Sequence, residues 1–346
     1  MWTCGLPGDS GTAPIALTMG DPAGIGGEIS LKAWLNRHSA GGVPFFVVDS
    51  PDRLRRLARR LELDVPVEAI SEAAEAAATF EQALPVLPIG EDVEAELGRP
   101  DRRNAAAIIG SIDIAVALTR SGDASAIVTN PISKEVLLAS GFRHAGHTDY
   151  LGELAGGVQP EMMLVCPGLR VVPLTVHLPL RAAIDRVRRE AIVATGMRLA
   201  KSLEYDFGIA QPRIVVTGLN PHAGENGTMG REEVDEIAPA IADLRERGID
   251  ARGPHAADSL FHAEARRRYD AALCMYHDQA LIPLKTIDFD GGVNVTIGLP
   301  FVRTSPDHGT AFDIAAAGIA RESSLLAALD LAGKIAARRR QPIRGG

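Results

Sequence analysis

The sequence predicts an α/β fold, and three observations carry that reading. Short apolar runs alternate with helical patterns along the whole chain. Most runs end in a polar loop rich in Gly, Asn, Asp or His. No internal repeat or low-complexity linker interrupts the alternation. That order is the mark of a mainly parallel or mixed sheet covered by helices. With 346 residues the chain has length enough for two domains or one large α/β unit.

Residues 14–19 (PIALTM) are the first strand, and the loop Gly20-Asp21-Pro22-Ala23-Gly24-Ile25-Gly26-Gly27-Glu28 leads to a helix over 29–35. Strand, glycine loop and helix together aim backbone N–H groups at an anion. The spacing matches neither GxGxxG nor a Gly-Lys-Ser/Thr phosphate loop, so the pattern alone is a weak signal for ligand contact. Residues 44–48 are the next strand. Ser50-Pro51 then opens a helix, with Ser as cap and Pro at the first helical position. Residues 65–103 carry weaker periodicity, enough for a short strand or two with loops.

Residues 104–119 predict a long buried helix, and 124–128 a strand ending at Thr129-Asn130-Pro131. A helix over 134–140 is stopped by Gly141. Residues 162–166 and 170–176 read as a hairpin turned at Pro167-Gly168. A helix over 181–201, a strand over 213–218 and a helix over 232–247 follow, with Asp258 in the loop beyond. The apolar run 271–276 is a buried strand that ends in His277-Asp278-Gln279.

The formal net charge of −8 argues against a general nucleic-acid binder. Basic runs at 55–60 and 338–340 read as a solvated helix face and a frayed tail. Cys4, Cys166 and Cys274 are odd in number and lack metal-type spacing, which points to a reducing cytoplasm. Residues 1–12 lack the apolar core of a signal peptide, and no apolar stretch reaches the ~20 residues of a membrane span. A soluble cytoplasmic protein is expected.

His177, His222 and His277 each stand at or just past the end of an apolar strand. In open α/β sheets that edge is where ligands bind. Three neutral imidazoles with an open position suit Zn²⁺ or a similar divalent ion. For one histidine alone a satisfied loop or core residue is the ordinary reading; the shared placement of all three brings ligation level with it. His38, His255 and His262 are read as structural. Lys285, Asn294 and Arg303 suit an anionic substrate, Lys as point charge and Arg as bidentate clamp. Lys285, amid strand-like apolar neighbours, could also act as acid or base. Asp313, five residues after His308, could grip a ribose 2′-OH.

With these residues assembled, the chain resembles the 4-hydroxythreonine-4-phosphate dehydrogenase family (PdxA) of vitamin B6 biosynthesis. The blocks that carry the resemblance are TMGDPAGIGGE, TNPISK, HAGHTDYL, TVHLPL, GLNPHAGE, MYHDQALIPLK and TSPDHGTAFDIA. The resemblance implies a two-domain α/β/α fold like isocitrate and isopropylmalate dehydrogenases, with an interdomain cleft. Residues 1–140 and 300–346 would form the cofactor-side domain, and 141–299 the domain with metal, substrate and dimer interface. It implies a homodimer whose metal lies near the interface.

By position, the resemblance makes His177, His222 and His277 the metal ligands. It makes His147, Thr148, Lys285, Asn294 and Arg303 substrate contacts and Asp258 a further polar site residue, with Lys285 and Asp258 as the candidate catalytic residues. His308, Gly309, Thr310 and Asp313 fall in the cofactor segment, and Asp313 favours NAD over NADP. The metal is expected to be zinc, with magnesium, manganese or cobalt as alternatives.

The implied reaction is oxidation of 4-phosphohydroxy-L-threonine at C3 and decarboxylation to 3-amino-2-oxopropyl phosphate. A D-threonate or D-erythronate 4-phosphate dehydrogenase stays open, as does, from another class, a zinc hydrolase. Gly27 stands where the family usually has Pro, and a small local effect is expected.

Overall fold

The computed structural model describes residues 13–341 apart from residues 92 and 145. Cys4 and the expectation drawn from residues 1–12 lie outside the described residues. The packing of the chain separates two compact units. The first draws on Met1–Gln159 and Leu299–Ala337, the second on Pro160–Gly298 and Arg338–Gly346.

The first unit holds β1 (Ile15–Thr18), β2 (Phe45–Asp49), β3 (Val67–Ala69), β4 (Leu84–Pro88), β5 (Ala126–Val128) and, from its C-terminal part, β12 (Arg303–Pro306). They lie in the order β3-β4-β2-β1-β5-β12, every pair parallel. The inner strands β1, β2 and β5 are buried along their whole length, as strands covered on both faces must be. Helices α1 (Gly26–Leu35), α2 (Pro51–Arg60), α3 (Ala76–Phe80), α4 (Ala105–Ser121), α5 (Lys134–Ala139) and α6 (His147–Leu154) belong to this unit. Ala16, Phe46, Val48, Ile112 and Ile127 form part of a core between strands and α4. Ser50 caps α2 by accepting from the Arg53 N–H at 3.3 Å, as its sequence predicts.

The second unit holds β6 (Glu161–Cys166), β7 (Leu169–Pro173), β8 (Arg213–Thr217), β9 (Asp250–His255), β10 (Ala271–Cys274) and β11 (Val293–Ile297). Their order is β11-β6-β7-β10-β8-β9. β6 is antiparallel to both neighbours, and β7, β10, β8 and β9 run parallel. The β6–β7 hairpin turns at Pro167-Gly168, where Gly168 takes a φ of 76°. Helices α7 (Leu180–Ile184), α8 (Arg189–Tyr205), α9 (Ala238–Glu246) and α10 (His277–Ile287) accompany these strands. Leu164, Val171, Val215, Ala272 and Leu284 are buried together.

Three expectations need correction. The single helix over 181–201 is two helices, α7 and α8. Glu236 causes the break from a distant part of the chain, pairing with Arg188 at 3.0 Å and accepting from the Arg189 N–H at 2.8 Å. Residues 338–340 are not a frayed tail: they close α11 (Ser323–Arg340), and Arg339 pairs with the buried Asp206 at 2.7 Å. Lys285 lies on helix α10, not among strand residues. Among the described residues, no helix is long and apolar enough to cross a membrane.

Candidate active site

In the first unit, the C-terminal ends of β1, β5 and β12 lie side by side. Arg303 begins β12 and is 3% exposed. Its Nε and Nη2 donate to Thr129 Oγ1 at 3.2 and 2.6 Å. Burial pushes the guanidinium pKa down, yet this group stays charged in proteins, so the fold commits a cation to a dry place. His147 begins α6, and its Nε2 is shielded from solvent without a hydrogen-bond partner. Burial, then the charges of Arg303 and Lys134, hold its imidazole well below the usual range. A neutral imidazole with a vacant nitrogen thus faces two cations, which is the chemistry of an anion pocket. Thr148 follows it on α6, half-buried.

The glycine loop spends several of its backbone donors within the protein. The Asp21 N–H donates to Pro131 O at 2.8 Å, Gly24 N–H to Asp21 O at 3.0 Å, and Ile25 N–H to Thr310 O at 3.0 Å. The Ala23 N–H donates to Asp21 Oδ1 at 3.0 Å. These four donors are already engaged within the protein. Asp21 is 1% exposed, and burial raises its pKa.

In the second unit, β7, β10 and β8 are adjacent and parallel, and His177, His277 and His222 follow their C-terminal ends. The rings of His177 and His277 are 5.9 Å apart between centroids. His177 and His222 hold φ values of 51° and 54°, a left-handed conformation that is uncommon outside glycine and clusters at functional sites. Nδ1 of His277 lies 2.7 Å from Asp278 Oδ1, and Nδ1 of His222 lies 3.3 Å from Glu225 Oε1. The turn that carries His222 packs against the short turn Ala257–Ser259, which carries the exposed Asp258. Lys285 is half-buried, its ammonium 5.3 Å from the centroid of the Phe289 ring. Asn294 lies on β11 with its Oδ1 shielded and without a partner.

A family model described as "Pyridoxal phosphate biosynthetic protein PdxA" matches residues 43–332. The chain belongs to the PdxA family. A 4-hydroxythreonine-4-phosphate dehydrogenase of Bradyrhizobium diazoefficiens is 53% identical, over 94% of this chain and 97% of that one. One of Methylorubrum populi is 54% identical, over 94% and 95%. The crystal structure of a 4-hydroxythreonine-4-phosphate dehydrogenase from Klebsiella pneumoniae superposes with a TM-score of 0.84 at 36% identity. That match covers 94% of this chain and 98% of the other. As a member of the PdxA family the chain is an enzyme, a dehydrogenase.

The donors present suit a divalent metal in kind. A carboxylate at Nδ1 leaves Nε2 as the ligating nitrogen, which is how metal-binding imidazoles are commonly held. They do not close a site within one chain: among the described residues no three His, Cys, Asp or Glu side chains are grouped to hold a metal. The segment after β12 suits the ribose end of a dinucleotide. Gly309 is exposed with open space where a Cβ would stand, and Asp313 presents an exposed carboxylate. His308 Nδ1 lies 3.1 Å from Gly309 O.

Thr129, which accepts from Arg303, and Lys134, whose charge acts on His147, join this grouping although the sequence reading of this PdxA-family chain did not single them out. Both belong to the block TNPISK, which was a usable signal: a Lys and a hydroxyl bracketing the polar end of a predicted strand.

Proposed function

We propose that this chain oxidises 4-phosphohydroxy-L-threonine at C3 with NAD and a divalent metal, and that the product loses CO₂ to give 3-amino-2-oxopropyl phosphate. The observation that carries the reading is the buried Arg303 guanidinium and the shielded, unpartnered Nε2 of His147, on which the charges of Arg303 and Lys134 both act; that grouping suits a phosphate. The names of the relatives agree with it.

When bound, the metal polarises the C3 hydroxyl and the nicotinamide takes the hydride. Metal would be held by His177, His222 and His277. Arg303 and Lys134 balance the phosphate charge, while His147 and Thr148 orient it. Lys285 is assigned to substrate and to proton transfer at the C3 hydroxyl, Asn294 to a substrate hydrogen bond, and Asp258 to a further polar, catalytic role. Asp313 accepts from a ribose hydroxyl and repels a 2′-phosphate, which favours NAD over NADP.

A homodimer with the metal near its interface is part of this reading. It fits the apolar side chains that the second unit leaves exposed, among them Leu180, Ile282 and Phe289 at 57%, 64% and 74%. Sedimentation of the purified protein tests this directly. Cys166 and Cys274 are free and buried, in keeping with a cytoplasmic location.

The deciding experiment is NADH formation with Zn²⁺, Mg²⁺ or Mn²⁺ supplied, on 4-phosphohydroxy-L-threonine, D-threonate 4-phosphate and D-erythronate 4-phosphate. Preference for the amino acid is expected. Preference for either sugar acid would overturn the substrate assignment, and silence with all three would overturn the proposed reaction.

A further inference from the structure

We infer that the glycine loop and α1 form a clamp on residues 310–320, and that Gly24, Glu28 and Lys32 set dinucleotide affinity without touching the dinucleotide. The inference rests on the reading of the 308–313 segment given above.

The clamp holds that segment at two places. At the first, Thr310 O accepts from the Ile25 N–H at 3.0 Å. A Cβ on Gly24 would lie 2.8 Å from that same oxygen, so only glycine lets the two backbones meet. Gly98 braces the loop from behind, its N–H donating to Ala23 O at 2.8 Å. A Cβ on Gly98 would stand 3.0 Å from Phe312 O, and its φ is 84°. Between Thr310 and Phe312, Ala311 holds a φ of 44°. A left-handed alanine persists only where its surroundings over-determine it.

At the second place, Glu28, 1% exposed, accepts from the Ala320 N–H at 2.9 Å and from Lys32 Nζ at 2.7 Å. Lys32 donates in turn to Gly318 O at 3.0 Å and Ala320 O at 2.7 Å. Residues 310–312 and 318–320 are thereby fixed, and the exposed Asp313 lies in the span between them. Order imposed on folding does not have to be imposed again on binding, so such a clamp raises affinity through pre-organisation. These are positioning residues. They also explain why a loop that resembles a phosphate cradle has its donors engaged.

The test is calorimetric titration of NADH into the full-length protein, with steady-state constants alongside. Gly24→Ala, Glu28→Ala and Lys32→Met should raise the NADH Kd and the KM for NAD about tenfold. The kcat at saturating NAD and the KM for the phosphorylated substrate should stay within about twofold. Glu28→Gln, which keeps an acceptor for Ala320, should recover most of the affinity. Gly110→Ala, at an open position on α4, should bind NADH as the parent does. Should Gly24→Ala not fold, Lys32→Met reads the same contact set without adding an atom near Thr310. Folded clamp variants with the parent's NADH Kd, or an equal rise in both KM values, would overturn the clamp. If Asp313→Ala alone weakens NADH binding, the clamp fails and the segment's assignment stands. A parent protein that binds no NADH overturns both.

Discussion

Asp278 places its carboxylate 2.7 Å from Nδ1 of His277, at the first turn of α10. The contact fixes which imidazole nitrogen points away from the helix. Because the Asp278 side chain is 70% exposed, its removal should leave the fold alone. Asp278→Ala is expected to lower metal affinity roughly 10- to 100-fold. Competition against a chromophoric chelator measures this, and an unchanged affinity would remove His277 from the ligand set.

His147 predicts a pH dependence of stability. Its folded pKa lies well below the ordinary 6.5, chiefly through burial, so the unfolded chain binds the extra proton as pH falls. The contribution is complete above about pH 6.5 and declines as pH drops below it toward the folded value. Denaturant melts between pH 5 and 7.5 should therefore show stability rising with pH, and His147→Asn should flatten part of that slope. An identical slope in the variant would mean that the folded imidazole protonates normally.

Arg303→Lys keeps the charge and loses the planar fork that both holds Thr129 and suits a phosphate. The kcat/KM for the phosphorylated substrate should fall about 100-fold, on the order of 3 kcal/mol. NADH binding should not change. Retention of full activity would dismiss the anion pocket.

The space beside Gly27 is filled from α2. A Cβ there would lie 2.7 Å from Leu57 Cδ2 and 3.1 Å from Nη1 of Arg53, whose buried guanidinium pairs with Asp49. Gly27→Ala should cost about 1–3 kcal/mol through overpacking. Leu57→Val in the same chain should return part of it. Additive losses in a denaturant double-mutant cycle would show that the two positions do not touch.

Much of the fold was legible because strand ends are written in local chemistry. The runs before Thr129, His222 and His277 are apolar and short, and each meets a polar residue where the strand stops. What escaped was decided at a distance. Pro283 inside α10 hid the helix that bears Lys285, since proline disfavours helix interiors. Glu236 breaks the α7–α8 segment from across the fold, and Asp206 holds Arg339, neither visible in periodicity. The glycine loop is legible as strand, turn and helix, but its partner Thr310 lies near the other end of the chain and leaves no mark on the loop's own pattern. His147 could be singled out from sequence, but the burial of its ring and the nearby charges of Arg303 and Lys134 are supplied only by the packed unit.

The order of strands in the second unit bears on how it is made. β10 lies between β7 and β8 in the sheet but comes after both in the chain. During synthesis, β7 and β8 therefore emerge with facing backbone edges and no strand to join them. Such non-local closure is slow, and open edges invite pairing with other chains. The growing chain stays exposed to aggregation until Ala271–Cys274 has left the ribosome, and a fragment ending before it should be insoluble where the whole chain is not.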